Sequence, residues 1–173
     1  YLKKKYKKNF ISIQPANLYG EGDNFNLKSS HVLPALVKKF VIAKKKNFKS
    51  VEVWGSGSQT RSFLHVEECV EAVLRLMKSD FIGPVNIGSE EMVTLNELAQ
   101  IAIEASGKNL TVHNIAGDEF VAKYGFNCPL GVEGRNSHNK LYREKVGWEV
   151  SKPLKEGLME TYSWINLQVN AKE

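Results

Sequence analysis

An amide, an imidazole, an indole and a guanidinium stand on three short words of this chain: Pro15-Ala16-Asn17-Leu18-Tyr19-Gly20, Ser30-His31, and Trp54-Gly55-Ser56-Gly57-Ser58-Gln59-Thr60-Arg61. Such a set suits the binding of a sugar diphosphate and the movement of a proton on it. An arginine fork matches phosphate oxygens, an indole lines a base or sugar pocket, and an imidazole exchanges a proton near neutral pH.

Each residue carries two readings. Asn17 follows an apolar strand and Pro15, so its amide sits at the carboxyl edge of a sheet, where open α/β folds place ligands; an Asx turn that shapes the next loop accounts for it equally. His31 stands at a loop-to-helix junction, where its ring either faces a cleft or caps the helix at the surface. Arg61, and Arg135 in Gly134-Arg135-Asn136-Ser137, lie beside glycines as phosphate ligands or as surface arginines. His65, followed by Val66-Glu67-Glu68, reads as structural, with carboxylates suited to a helix N-terminus. His113 and His138 have no metal-ligand spacing with the others, so no metal site is expected.

The elements that must position these groups alternate between strands and helices, which predicts an α/β fold. Residues 10–14, 51–54, 61–65, 85–87 and 110–114 read as strands. Val32, Ala35, Leu36, Phe40 and Ala43 recur at helical spacing, with Pro34 tolerable in the first turn. Val66, Cys69, Val70, Val73, Leu74 and Met77 form a second amphipathic helix. Thr94-Leu95-Asn96-Glu97 is a capping box that opens a third, and Gly107 closes it. Residues 140–146 and a stretch beginning at Pro153 predict two more helices. Residues 19–30 and 118–130 read as loops.

With 173 residues, 42% of them hydrophobic, the chain can bury the core of one ordinary domain. No apolar run is long enough for a membrane span, and residues 1–8 lack the apolar centre of a signal peptide, so a cytoplasmic location is expected. Cys69 and Cys128 form no disulfide framework. The net charge of +5 favours anionic partners. Its lysines cluster at 3–8 and 38–49, and both runs read as solvated helix faces; no nucleic-acid motif accompanies them. The chain contains no G-x-G-x-x-G turn, and its start, Tyr1-Leu2-Lys3-Lys4-Lys5-Tyr6, reads as the end of a helix, so a fragment is expected.

These words together resemble the C-terminal half of the extended short-chain dehydrogenases/reductases that act on nucleotide sugars. Pro15 to Gly20, Gly22-Asp23-Asn24-Phe25, the stretch Ser29 to Leu36 and Val53-Trp54-Gly55-Ser56-Gly57 are similar to GDP-L-fucose synthases. From Gln59-Thr60-Arg61-Ser62-Phe63 onward, through Pro84 to Ser89 and Gly134 to Ser137, the likeness turns towards GDP-mannose 3,5-epimerases. The resemblance covers nearly all of the chain except residues 118–130, which look like an insertion. Tyr1 and Lys5 have the Y-x-x-x-K spacing of the catalytic pair in these enzymes, but too little helix follows before Phe10 for them to be that pair.

The resemblance implies the last part of a Rossmann-type parallel sheet plus the smaller C-terminal substrate-binding domain, spanning residues 1–173, with the dinucleotide-binding portion absent. It implies a GDP-sugar substrate and NADP, or NAD, held mainly by that absent portion. Pro15, Ala16, Asn17 and Leu18 would meet the nicotinamide end. Asn17 would also face the sugar. His31 falls where the synthases keep a proton-transferring histidine and the 3,5-epimerases a lysine. Lys39, Trp54, Gln59, Thr60, Arg61 and Arg135 match substrate-binding positions. The whole protein would be a homodimer joined through helices largely missing here, and the fragment alone inactive. A GDP-mannose or GDP-heptose epimerase, or a non-catalytic nucleotide-binding module whose basic surface meets an acidic partner, are the alternatives.

Overall fold

The computed structural model of the chain describes residues 2–129 and 131–171. The elements follow in order as α1 (Leu2–Tyr6), β1 (Ser12–Pro15), β2 (Asn17–Tyr19), α2 (Val32–Lys45), β3 (Ser50–Trp54) and β4 (Thr60–His65). They continue as α3 (Val66–Met77), β5 (Pro84–Ile87), β6 (Met92–Thr94), α4 (Leu95–Ser106) and β7 (Thr111–Ile115). The last are α5 (Gly117–Tyr124), β8 (Gly134–Arg135), α6 (Lys140–Val146) and α7 (Leu154–Asn170). Mixed α/β architecture with parallel pairing is therefore observed.

Parallel ladders join β1 with β5, β2 with β4, and β3 with β7. β4 also pairs antiparallel with β6 and parallel with β8. The chain changes partners at Pro15 and Ala16. Pro15 ends the β1 ladder in register with Ile87, Ala16 donates its N–H to the Ile87 carbonyl at 2.8 Å, and Asn17 begins the ladder against Phe63. A proline suits that position because it has no N–H to give the next ladder.

Two apolar clusters hold these layers. In the first, Phe40 and Val41 of α2, Leu98 and Ala102 of α4, and Leu158 and Ile165 of α7 pack with Val51 and Val53 of β3. The second gathers Leu64, Cys69, Ala72, Leu76, Val85 and Tyr142 from β4, α3, β5 and α6, and the Tyr142 hydroxyl donates to the Ala72 carbonyl at 3.0 Å. Burying side chains of this size stabilises by roughly 1.5–3 kcal/mol each before the entropy cost. Burial holds the Cys69 thiol up in pKa, and both cysteines are free.

The capping box at α4 forms as expected: Glu97 N–H donates to Thr94 Oγ1 at 3.1 Å and Thr94 N–H to Glu97 Oε2 at 2.7 Å. Pro34 lies in the first turn of α2, where no intrahelical partner awaits an N–H. The loop expected over residues 118–130 is corrected. Residues 117–124 form α5, whose Phe120 is fully buried. One apolar spacing, Phe120 to Tyr124, is too short a signal for a helical period. Leu130, the end of that expected loop, and Tyr1, one end of the Y-x-x-x-K spacing, lie outside the described residues.

Candidate active-site cleft

The change of partners at Pro15 and Ala16 leaves Asn17 at the mouth of a cleft. Its Nδ2 donates to the Ser62 carbonyl of β4 at 2.9 Å, which fixes the amide. This is an inter-strand tie, so the Asx-turn reading of Asn17 is not what the side chain does. His31 is the N-cap residue of α2, with extended backbone and no capping hydrogen bond from its side chain. Its ring is exposed.

Two cavities meet at these residues. One, of about 650 Å³, is lined by Pro15, Ala16, Asn17, Leu18, His31 and Arg135 among others. The second, of about 420 Å³, is lined by Asn17, His31, Lys39, Trp54, Gln59 and Arg61, with Ser30 and Pro129. Asn17 and His31 belong to both. Apart from Thr60, the residues expected to meet a nicotinamide and those expected to meet a sugar nucleotide line these two adjoining cavities. Thr60 lines neither cavity. Its N–H donates to the Glu133 carbonyl at 2.9 Å and it pairs with Gly134, so it ties β8 to β4.

The turn from Trp54 to Gln59 is held from outside. Gly57 has φ of +75°, and a Cβ there would collide with Asn96 and come within 2.6 Å of Asn114 Nδ2. The start of α4 grips the same turn, with Asn96 N–H donating to the Gly57 carbonyl at 3.0 Å and Leu95 N–H to the Gln59 carbonyl at 3.1 Å. Gln59 is buried, and its Oε1, like Ser30 Oγ, has no hydrogen-bond partner among the described residues. A buried, unpaired polar atom on a cavity wall is costly unless a ligand completes it.

Charge in the second cavity comes from Lys39 and Arg61. Lys39 Nζ lies 5.1 Å from the Trp54 ring centre and donates to the Glu52 carbonyl at 3.0 Å. Burial lowers its pKa, and the Glu52 carboxylate works against that shift. The Arg61 guanidinium donates to the carbonyls of Thr60 and Val132, each at 2.7 Å, and reaches Glu133 at 3.5 Å. An arginine has five N–H donors, so the fork is braced while donors remain for an anion.

His65 takes the structural role expected of it. Buried, it meets the Tyr19 ring edge-on with centroids 5.2 Å apart. Glu67 and Glu160 flank its two nitrogens at 3.7 and 3.6 Å, and Lys152 Nζ bridges both carboxylates at 3.1 and 2.7 Å. The ammonium already supplies the positive charge between them. Sequence reasoning missed Glu52, Phe120, Tyr124 and Phe126, which back the wall at Trp54. The alternation of β3, which buries Val51 and Val53 and leaves Glu52 beside Trp54 on the other face, was the signal for Glu52.

Residues 1–88 match the NAD dependent epimerase/dehydratase family. The chain belongs to that family. The matched span includes every residue singled out above from Pro15 to Arg61, and Arg135 lies beyond it. Among curated members, the chain is 50% identical to the GDP-mannose 3,5-epimerase of Arabidopsis thaliana over 122 residues, 70% of this chain and 29% of that protein. It is 40% identical to a probable GDP-L-fucose synthase of Oryza sativa subsp. japonica over 155 residues, 89% of this chain and 44% of that protein. This epimerase/dehydratase chain thus spans less than half the length of these relatives. In fold it superposes on a GDP-L-fucose synthetase from Naegleria fowleri with a TM-score of 0.77 and 23% identity, over 93% of this chain and 46% of that one; the same synthetase is also known bound to NADP.

Proposed function

We propose that this chain is the substrate-binding portion of a GDP-sugar 3,5-epimerase/4-reductase of the GDP-L-fucose synthase type, acting on a GDP-4-keto-6-deoxy sugar with NADPH. The observation that carries the reading is the shared cleft, in which Asn17 and His31 line both cavities. A sugar seated at that junction faces the imidazole and the cofactor side together.

The chemistry follows from the substrate. A 4-keto group acidifies the protons at C3 and C5, so a base on one face and an acid on the other invert each centre through an enolate. His31 exchanges the proton on its face. In the resembled enzymes a cysteine outside this chain is its counterpart. Arg61 and Lys39 hold the diphosphate, Trp54 lines the nucleotide wall, Gln59 completes its buried amide on a ligand hydroxyl or base edge, and Asn17 fixes the sugar.

The residues present fit the nicotinamide end of the cofactor, because the exposed Pro15 and Leu18 offer an apolar edge beside the Asn17 amide. When bound, NADPH supplies the hydride that reduces C4. The phosphate-binding turn for its other end is not in this sequence. Among the described residues no helix is long and apolar enough to cross a membrane. Two free cysteines agree with a reducing compartment, and the cytoplasm is the proposed location.

The higher identity to a GDP-mannose 3,5-epimerase supports a second reading, epimerisation without reduction. Both readings require GDP recognition. Calorimetric titration with GDP, UDP and dTDP tests it: the account expects GDP to bind in preference. Equal indifference to all three would leave a non-catalytic interaction module in its place.

A further inference from the structure

Residues 117–126 and residues 132–133 touch the cleft from behind, each at its own place. Phe120, Tyr124 and Phe126 surround the Trp54 indole, with ring centroids 5.1, 5.2 and 6.3 Å away and interplanar angles of 85°, 60° and 74°. Edge-on packing of this kind fixes a ring's plane as well as its position. A few residues on, the carbonyls of Val132 and Glu133 receive the Arg61 guanidinium. The first stretch therefore braces the indole and the second the fork.

Between them runs a polar chain. Tyr124 donates its hydroxyl to Glu52 Oε2 at 2.7 Å, and Lys123 pairs its ammonium with Glu52 Oε1. The Lys123 contact leads the downward shift of the Glu52 pKa, so this carboxylate stays charged. The backbone carbonyl of the same Glu52 accepts from Lys39 Nζ, which stands over the Trp54 ring. Lys39 and Trp54 are both walls of the second cavity, whereas Lys123 and Tyr124 are not among its lining residues.

We propose that α5 is the positioning element of the nucleotide cleft, with Lys123 and Tyr124 acting through Glu52 to hold Lys39 and Trp54 in their binding arrangement. This rests on the GDP-sugar reading of the cleft and extends it to a segment that the family resemblance leaves out. Lys123 and Tyr124 are positioning residues and touch no ligand. Their contribution is pre-organisation: a wall already in place spares the ligand the cost of ordering it.

The test compares GDP affinity and melting temperature for the 173-residue chain and three variants: Tyr124→Phe, the double change Lys123→Met with Tyr124→Phe, and Lys123→Arg with Tyr124→Phe. Phenylalanine keeps the ring against Trp54 and removes only the hydroxyl. The expected result is a Kd for GDP raised about tenfold in the double Met/Phe variant, as for the loss of hydrogen bonds to a charged group. Its melting temperature should hold, and arginine at 123 should restore most of the affinity. Wild-type affinity in the Met/Phe variant would overturn the proposal. So would a loss of affinity that only tracks a fall in melting temperature across the three variants. If the unaltered chain binds no GDP, the GDP-sugar reading itself falls, an outcome distinct from the other two.

Discussion

Arg61 and Arg135 are partners in register on the parallel strands β4 and β8. They begin side by side, yet each lines a different cavity, Arg61 the one with Trp54 and Arg135 the one with Pro15 to Leu18. A diphosphate reaching from one cavity to the other would meet both guanidiniums, and this pairing yields a specific expectation. Arg61→Ala should raise the Kd for GDP about ten- to a hundredfold, the loss of a charge-assisted contact, with a smaller effect for the more exposed Arg135→Ala. If one anion is shared, the double variant should fall short of the sum of the single effects. Additive losses in a calorimetric double-mutant cycle would assign the two arginines to separate ligands.

A second expectation concerns pH. Burial, followed by the nearby Lys152 charge, lowers the folded-state pKa of His65 below its ordinary 6.5, while Glu160, Glu67 and Glu68 oppose the shift. Below the unfolded-state value the unfolded chain binds the extra proton more readily than the folded one, so stability is lost as pH falls through 6.5 and beneath it. Melting temperatures recorded between pH 7.5 and 5 should decline, and His65→Gln, if it folds, should flatten that part of the decline. An equally steep profile in the variant would remove His65 from the account of acid sensitivity.

Gly157 on α7 offers a third test, this time of packing. A Cβ there would collide with the Tyr19 hydroxyl and lie 3.0 Å from His65 Cδ2. Gly157→Ala therefore overpacks the contact between α7 and the β2–β4 pair. Helix propensity alone favours alanine, yet overpacking a close site costs about 1–3 kcal/mol and wins here. The melting temperature should drop by roughly 2–4 °C for each kcal/mol lost. A rise would show that the helix moves away at little cost.

Much of this architecture was legible in the residues because its signals are local. The stripe of α3, the Thr94-Glu97 box of α4 and the apolar run of β5 each sit within one turn or one strand of their own cause. β6 and β8, of three and two residues, are too short to display alternation, and they form because β4 offers both edges. α5 was invisible for a related reason: its stability comes from Phe120 packing under Trp54, a contact with a strand far away in sequence. The site divides in the same way. The words around Asn17, His31, Trp54 and Arg61 announce their chemistry, but neither the tie from Asn17 to Ser62 nor the pairing of Arg61 with Arg135 is written near any of them.

The central claim is that a sugar at the junction marked by Asn17 and His31 exchanges protons with His31. In the full-length enzyme, incubated with the GDP-4-keto-6-deoxy sugar in deuterium oxide, proton NMR measures label incorporation at C3 and C5. The account predicts that His31→Ala abolishes this exchange while GDP affinity stays near that of the unaltered enzyme. Exchange at the wild-type rate in the variant would contradict it.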